Sequence, residues 1–456
     1  MRHKNVGAGL VPAHNGQPQG LPLRIIILWL CLLCGVHTSA AHAAEPRILT
    51  LDQALEIADG RNRDIQKARE FFRLVEGKYV EERSAALPQF TVTGSVARQQ
   101  DDSQSAIAGG LFPTRQDTQA LEVGLSQALF TRGKVGAAIR AAEKGFKTAD
   151  ERLRISRQDT GRDVAVAFYD ILLAKEQHAI ARQNLEQKER HLDEARRRYA
   201  TGVAMDYDVL AAEVAGANAR PEIIRTENLV RTARDRLRFL LAVEDDVDAV
   251  GTLEMAQGAV PVYGAALETA RKRRPELQEL RRRQEIAVEL VKIANAEDKP
   301  RLDLKGGFGW RRLEAGDMAG NGKAWSAGVY LSYPLFDGLK TRGKVAQAES
   351  EQRGLEIDEA KLTDAISLEL RDAVSAVKEA AEIVTALTGT VGQAERLLAM
   401  AEKGYELGVK IRLEVDDAEF NLLQARGNLA RARRDYLVAR VNLERAMGTL
   451  GEGAKG

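Results

Sequence analysis

The residue types that most often carry catalysis or bind metals are scarce in this sequence. Of its six histidines, only His178 and His191 lie beyond residue 43, and both fall within one predicted helix. The sequence contains neither the G-x-x-x-x-G-K-S/T loop that holds phosphates nor the H-E-x-x-H pattern of zinc proteases. Its carboxylates recur along helix faces four residues from Arg or Lys, the spacing of surface ion pairs. We therefore predict that the protein is not an enzyme and has no cofactor and no metal site.

Overall charge and composition indicate no charged partner. The 456 residues include 67 Lys and Arg against 66 Asp and Glu, so no strong field would attract nucleic acid. The chain is 44% hydrophobic and 5% aromatic, with 39 Gly and 11 Pro. These values exclude a collagen, and they are too apolar for a wholly disordered chain.

Residues 1–43 are predicted to be a signal peptide. They contain no acidic residue, the apolar run Ile25–Val36, and a small-residue cleavage pattern at Ala41–Ala43. A membrane anchor is the alternative, but a spanning helix needs roughly 20 apolar residues. Both cysteines, Cys31 and Cys34, lie inside this segment, so the exported chain would have no thiol. No other stretch reaches 18 consecutive apolar residues, so the exported chain is either soluble outside the inner membrane or crosses a bilayer as strands.

The remainder of the sequence consists of two similar halves. The segment Leu125-Ser-Gln-Ala-Leu-Phe130 matches Leu331-Ser-Tyr-Pro-Leu-Phe336, and the turn at Gly202 matches the turn at Gly408, both at an offset of 206 residues. This offset predicts a tandem duplication of a unit of about 200 residues.

The duplication predicts the following organisation. The first repeat spans 44–243, an equatorial linker spans 244–262, the second repeat spans 263–448 and a tail spans 449–456. Each repeat would contain a helix, a strand pair (about 88–130 and 300–336) and a helical hairpin (about 133–243 and 343–448).

The helical hairpins carry apolar residues at heptad spacing, which predicts left-handed coiled-coil packing. The longest stripe in the second repeat is Val415, Ala418, Leu422, Ala425, Leu429, Ala432, Tyr436, Ala439, Leu443 and Ala446. A continuous helix from Gly133 to Tyr199 would be about 100 Å long. Pro221 is expected to kink or break the fourth long helix.

Four segments with alternating apolar and polar residues are predicted to be strands. They lie at about 90–97, 121–126, 302–311 and 325–333, and polar, Gly-rich loops are predicted at Gln99–Thr118 and Glu314–Lys323. Trp310 and Trp325 flank the second loop on the apolar faces of their strands. This is the position of an aromatic girdle in a membrane barrel, although a soluble hairpin with core-facing Trp explains the pattern equally well.

Four strands are too few to close a membrane barrel, because the smallest have about eight. An open sheet edge in lipid would leave backbone groups unpaired at a cost of several kcal/mol each. If these strands span a bilayer, they must therefore pair with strands of other copies. This argument requires an oligomer but does not determine the number of subunits.

The order and spacing of several short motifs resemble the TolC family of outer membrane efflux and secretion channels. The resemblance covers essentially the whole chain after the leader. The motifs are Leu49–Leu55, Leu87-Pro88, Pro334–Gly338, Tyr405-x-x-Gly408 and Leu443–Gly448.

The resemblance implies a homotrimer in the outer membrane of a Gram-negative bacterium. Its fold would be mainly α, with a twelve-stranded membrane β-barrel continued by a long periplasmic α-barrel. Residues 242–262 and the C-terminal tail would form an equatorial belt. The protein would be the passive exit duct of a tripartite efflux pump or type I secretion system. Its partners would be a periplasmic adaptor, an inner-membrane transporter and outer membrane lipid, with no nucleic acid.

The same resemblance implies a gate at the periplasmic end. It places constriction acids at Glu414 and Asp417, and latch residues at Tyr405, Lys410 and Asp208. Three copies of the two acids around a narrow axis would repel one another and could hold cations. Lys410 stands where the family more often has an arginine, and it cannot form a bidentate bond. The alternative is that these acids are solvated charges that favour the start of a helix.

The hairpin turns are the expected contacts for an adaptor. The residues concerned are Gly202, Val203, Gly408 and Val409, and the glycines also supply the turn itself. A periplasmic coiled-coil adaptor or scaffold is the competing interpretation of the whole chain, since it would also be exported, heptad-rich and oligomeric. The sequence does not distinguish drugs, metals and proteins as cargo.

Overall fold

The structure, a computed structural model of the chain, describes residues 46–101, 103, 114–255 and 259–451. The predicted signal peptide lies outside the described residues, as do residues 102 and 104–113 of the first predicted loop, 256–258 of the linker and 452–456 of the tail.

The elements follow one another in the same order in both halves of the chain. The first half contains β1 (Arg47–Leu49), α1 (Leu51–Arg61), α2 (Arg63–Ser84), β2 (Gln89–Gln100), β3 (Arg115–Phe130), α3 (Lys134–Ala200) and α4 (Asp206–Leu241). The second half contains β4 (Val247–Ala249), α5 (Tyr263–Arg273), α6 (Pro275–Asn295), β5 (Arg301–Ala315), β6 (Met318–Ser332), α7 (Lys340–Glu406) and α8 (Arg412–Met447). Helices α3 and α7 both have 67 residues, and α4 and α8 both have 36.

The heptad stripes form the contacts between the long helices. Helix α3 packs along α4 and α7 packs along α8, while α3 also packs against α8 and so joins the two hairpins. All ten stripe residues predicted on α8 are buried, from Val415 to Ala446. The heptad prediction for this helix is therefore confirmed. Helix α4 runs from Asp206 to Leu241 through Pro221, so the expected break at this proline does not occur.

Nearer the strands, helices α2, α3, α6 and α7 pack side by side in that order. Ion pairs cross the seam between α3 and α6. The Arg140 guanidinium lies 2.9 Å from the buried carboxylate of Glu289, and Arg152 lies 2.7 Å from Glu279. These pairs connect the first repeat to the second.

The four long strands form one antiparallel sheet in the order β2-β3-β5-β6. In the single chain β2 and β6 are therefore edge strands. The prediction of a loop at Glu314–Lys323 is wrong. Strand β5 continues to Ala315 and β6 begins at Met318, so only two residues separate the strands. Gly316, at φ +60°, supports a two-residue turn that is short enough for the polar residues on both sides to stay paired.

A small belt lies where the shorter helices end. Strand β1 pairs in parallel with β4, so that Arg47 stands opposite Val247. Below this pair is a core that includes Leu49, Phe168 and Leu237. None of the helices in the described part of the chain has both the length and the hydropathy that a membrane span needs.

Candidate functional site at the hairpin turns

Both hairpin turns have the same backbone geometry. Helices α3 and α7 are each followed by a glycine in the left-handed region, Gly202 at φ +73° and Gly408 at φ +74°. After α3, the amide of Gly202 donates to the Tyr199 carbonyl at 2.9 Å, and the amide of Val203 donates to the Arg198 carbonyl at 2.9 Å. This is the Schellman pattern, in which a residue at positive φ satisfies the last carbonyls of a helix.

The second turn repeats this pattern and exposes the same kind of residue. The amide of Gly408 donates to the Tyr405 carbonyl at 3.0 Å, and the amide of Val409 donates to the Gly404 carbonyl at 2.9 Å. Val203 and Val409 are 76% and 77% exposed. The four residues predicted to contact an adaptor therefore lie at the tips of the hairpins.

Asp208 and Glu414 occupy equivalent positions at the starts of α4 and α8. A carboxylate oxygen of Asp208 accepts from the Met205 amide at 2.9 Å, and one of Glu414 accepts from the Ile411 amide at 3.0 Å. Each acid thus satisfies a backbone donor that has no partner inside the helix. Both carboxylates therefore cap the start of their own helix.

Lys410 is bonded within its own turn. Its Nζ donates to Glu414 Oε1 at 2.8 Å, and this bond, together with the Ile411 amide, holds the pKa of Glu414 below its ordinary value. The stem of Lys410 lies over Gly404, where an added Cβ would come within 2.7 Å of Lys410 Cδ. A glycine at position 404 therefore provides the space that the lysine occupies.

Tyr405 connects the two hairpins. Its hydroxyl accepts from Arg198 Nη1 at 3.0 Å, and the guanidinium carbons of Arg198 and Arg412 lie 5.2 and 5.9 Å from its ring centre. Within one chain, Tyr405 and Lys410 are thus bonded to Arg198 and Glu414, while Asp208 caps its own helix. Asp417 is exposed and lies on α8 about one turn after Glu414.

A group of charges that we did not predict lies between α3 and α8, next to these turns, with a buried carboxylate at its centre and partly exposed partners around it. We call it the Glu419 cluster; it consists of Gln187, Lys188, His191, Arg412, Asp416 and Glu419. Glu419 is 6% exposed and accepts from Gln187 at 2.6 Å, Lys188 at 2.7 Å and His191 at 2.6 Å. Burial alone would raise the pKa of Glu419, but the bonds from His191 and Lys188 lower it to about 2. The sequence does contain one sign of this cluster, because Lys188 places a charge at an apolar heptad position.

The two tryptophans lie on one face of the sheet. Trp325 stands opposite Phe308, and Trp310 stands opposite Leu121, with exposures of 78% and 40% for the two Trp side chains. The same face carries exposed Val123. The other face carries Glu122 and several glycines, so the sheet has one apolar and one polar side.

A helical hairpin and a strand pair that each occur twice, with all four strands in one antiparallel sheet, define a two-repeat architecture, and a known family shares this organisation. The family model described as "Outer membrane efflux protein" matches residues 54–243 and 266–449. The chain belongs to the outer membrane efflux protein family, which confirms the resemblance inferred from the motifs.

Curated relatives and solved structures give the same result. The outer membrane protein TolC of Vibrio cholerae is 25% identical over 81% of this chain and 84% of its own length. The alkaline protease secretion protein AprF of Pseudomonas aeruginosa is 25% identical over 81% of this chain and 78% of its own length. The outer membrane channel CmeC of Campylobacter jejuni has the same fold, with a TM-score of 0.75 and 17% identity over 88% of this chain and 85% of its own. These matches support the channel interpretation and not the periplasmic adaptor or scaffold.

Proposed function

We propose that the protein is a homotrimeric exit duct in the outer membrane, through which an efflux pump or a type I secretion system releases its cargo. The observation that carries the proposal is the open four-stranded sheet at one end of two 67-residue helices. The sheet exposes an apolar face that includes Phe308 and Trp325, which would suit lipid contact. The family match supports the outer membrane location.

Closure of the sheet is the argument for an oligomer. Strand β2 is exposed along its whole length, and β6 forms the opposite edge. Backbone groups left unpaired in lipid would cost several kcal/mol each, so β6 of one copy would pair with β2 of the next. Three copies would contribute twelve strands above a periplasmic helical barrel, and Trp310 and Trp325 would lie in the aromatic girdle at the membrane interface.

The test of this function is the state of the protein in cells and its conductance after purification. We expect it to sediment with outer membranes as a trimer that migrates differently in gels before and after heating. In planar bilayers the trimer should conduct ions. A soluble monomer in the periplasm would contradict the proposal, as would a trimer that does not conduct.

The turns would form the periplasmic aperture of the duct. Glu414 and Asp417 would each be present three times around the axis, where the repelling carboxylates would favour cations. The bonds of Tyr405 to Arg198 and of Lys410 to Glu414 would hold the turns in their resting arrangement. Asp208 would complete the latch at the start of α4.

Weakening this arrangement should increase conductance. The double substitution Tyr405→Phe with Lys410→Ser removes both bonds, and because bonds between exposed groups are weak we expect conductance to rise only about two- to tenfold. Single-channel recordings in planar bilayers would measure this. Tyr207→Phe is the matched control, because Tyr207 is 75% exposed at the start of α4. Equal conductance of the double variant and the wild type would contradict the latch role.

The hairpin tips would contact a periplasmic adaptor, which in turn would connect the duct to an inner-membrane transporter. Val203 and Val409 present exposed apolar side chains beside the two turn glycines. Because Cys31 and Cys34 are the only cysteines and lie in the predicted leader, Val409→Cys would give a single reactive thiol. Crosslinking of this thiol to a cognate adaptor would support tip docking, and failure at both valines would contradict it.

A further inference from the structure

The Glu419 cluster lies on the seam that joins the two hairpins. Its members on α3 are Gln187, Lys188 and His191, and its members on α8 are Arg412, Asp416 and Glu419. Helix α3 belongs to the first repeat and α8 to the second. Any movement of one hairpin relative to the other at this level must therefore stretch these bonds.

The bonds of His191 determine which of its nitrogens carries hydrogen. Arg412 Nη1 lies 3.0 Å from His191 Nδ1, and a guanidinium can only donate, so Nδ1 must be an unprotonated acceptor. The hydrogen is then on Nε2, which donates to Glu419 Oε1 at 2.6 Å. The observed arrangement requires a neutral imidazole.

The charges around this imidazole are balanced in that state. Lys188 lies 2.7 Å from Glu419, and Arg412 lies 3.1 Å from Asp416, so two cations face two anions. On α4, which packs against α3, Glu213 and Arg220 pair with Arg196 and Glu189. A proton on Nδ1 would point a second donor at the Arg412 guanidinium and add an unbalanced positive charge.

A protonated ring would also attract Glu419 more strongly, although that carboxylate already pairs with Lys188 and the Nε2–H bond to it is present in both states. The bond that protonation removes is the one from Arg412. Arg412 also lies 5.9 Å from the ring centre of Tyr405, so its displacement would alter the surroundings of the proposed latch.

We propose that His191 makes the contact between α3 and Arg412 sensitive to pH: the neutral imidazole accepts from Arg412, and protonation releases Arg412 on α8 beside the proposed aperture, while Gln187 and Lys188 still bond to Glu419. This inference rests on the proposed function as a gated channel. Histidine is suited to the role because its charge ordinarily changes between about pH 5 and pH 8.

The test compares channel conductance at about pH 7.5 and about pH 5.5, which lie on either side of that change. Wild-type conductance should rise about two- to fivefold at the lower pH, the range expected for loss of one ionic contact. His191→Gln keeps a donor for Glu419 but does not titrate, so its conductance should not change with pH. His178→Gln is the control, because His178 bonds to Thr226 within the first hairpin at 3.1 Å. It should respond as the wild type does.

A second variant keeps the test decisive if His191→Gln does not fold. Arg412→Gln removes the cation that faces Nδ1, so this variant should also lose the pH response while forming trimers. A wild type without a pH response, or a response retained in His191→Gln or lost in His178→Gln, would overturn the inference. Absence of conductance from the wild type at both pH values would instead count against the channel function.

Discussion

Replacing Gly309 by alanine should prevent the sheet from forming correctly. A Cβ at this position would lie 2.3 Å from the carbonyl oxygen of Leu121 and 2.8 Å from the Cα of Glu122. Both atoms belong to the backbone of β3, which pairs with β5 and joins the two repeats. The strands would have to separate, at a cost of about 1–3 kcal/mol or more. We expect about a tenfold or larger loss of trimer in outer membrane fractions, measured by immunoblotting.

Gly322→Ala is the matched control for this substitution. Gly322 lies in the neighbouring strand β6, and a Cβ there would meet nothing within 4 Å. The two variants make the same chemical change in paired strands, so they differ mainly in the space available. Normal trimer levels for both would show that the close approach at Gly309 does not limit assembly.

Replacing Glu276 by glutamine should strongly destabilise the protein at the belt. Glu276 is bonded to Arg274 at 3.2 Å and also to Arg445, and the two arginines are 5% and 8% exposed. Arg274 keeps its bond to Glu369 and Arg445 keeps its bond to Asp159, but both buried cations lose the shared carboxylate charge, which costs about 1.5–3 kcal/mol. The unfolding temperature of the purified protein, followed by circular dichroism, should fall accordingly. Glu268→Gln, which removes an exposed pair with Lys272 on α5, should change it little.

The pH dependence of this difference provides a check on its cause. Burial alone would raise the pKa of Glu276, but Arg274 and Arg445 lower it below its ordinary value. Because the pKa is lower in the folded chain than in the unfolded chain, the stabilisation is present above the unfolded value and is lost as the pH falls through the folded value. The wild type and Glu276→Gln should therefore converge in acid. A constant difference across pH would indicate lost packing and not lost charge.

Much of the fold could be predicted because it depends on local periodicity. The stripe from Val415 to Ala446 is buried as its heptad spacing requires. Of the kink or break expected at Pro221, the break does not occur: α4 continues through the proline, and Ala219 and Thr226 on either side are buried. The loop predicted at Glu314–Lys323 is strand because pairing across the sheet continues through polar residues.

The candidate site could be predicted only in part. Periodicity shows which face of a helix is apolar but not which other helix lies against it. The contact of Glu419 with His191 joins residues that are 228 positions apart, and it depends on the packing of α3 against α8. Similarly, the partner of Tyr405 is Arg198 on the opposite hairpin, which no local pattern indicates.

The two 67-residue helices pass the belt without interruption, while their shorter partners end or begin there. Helix α4 ends at Leu241 and is followed by Ala242 at φ +51°, and α8 ends at Met447 and is followed by Gly448 at φ +73°. A helix of 36 residues is about 54 Å long, so a rotation of about 5° at the belt would displace the turn at its far end by about 5 Å. In the proposed channel, a large change in aperture would therefore need only a small change in angle, with the buried arginines beside Glu276 close to the pivot.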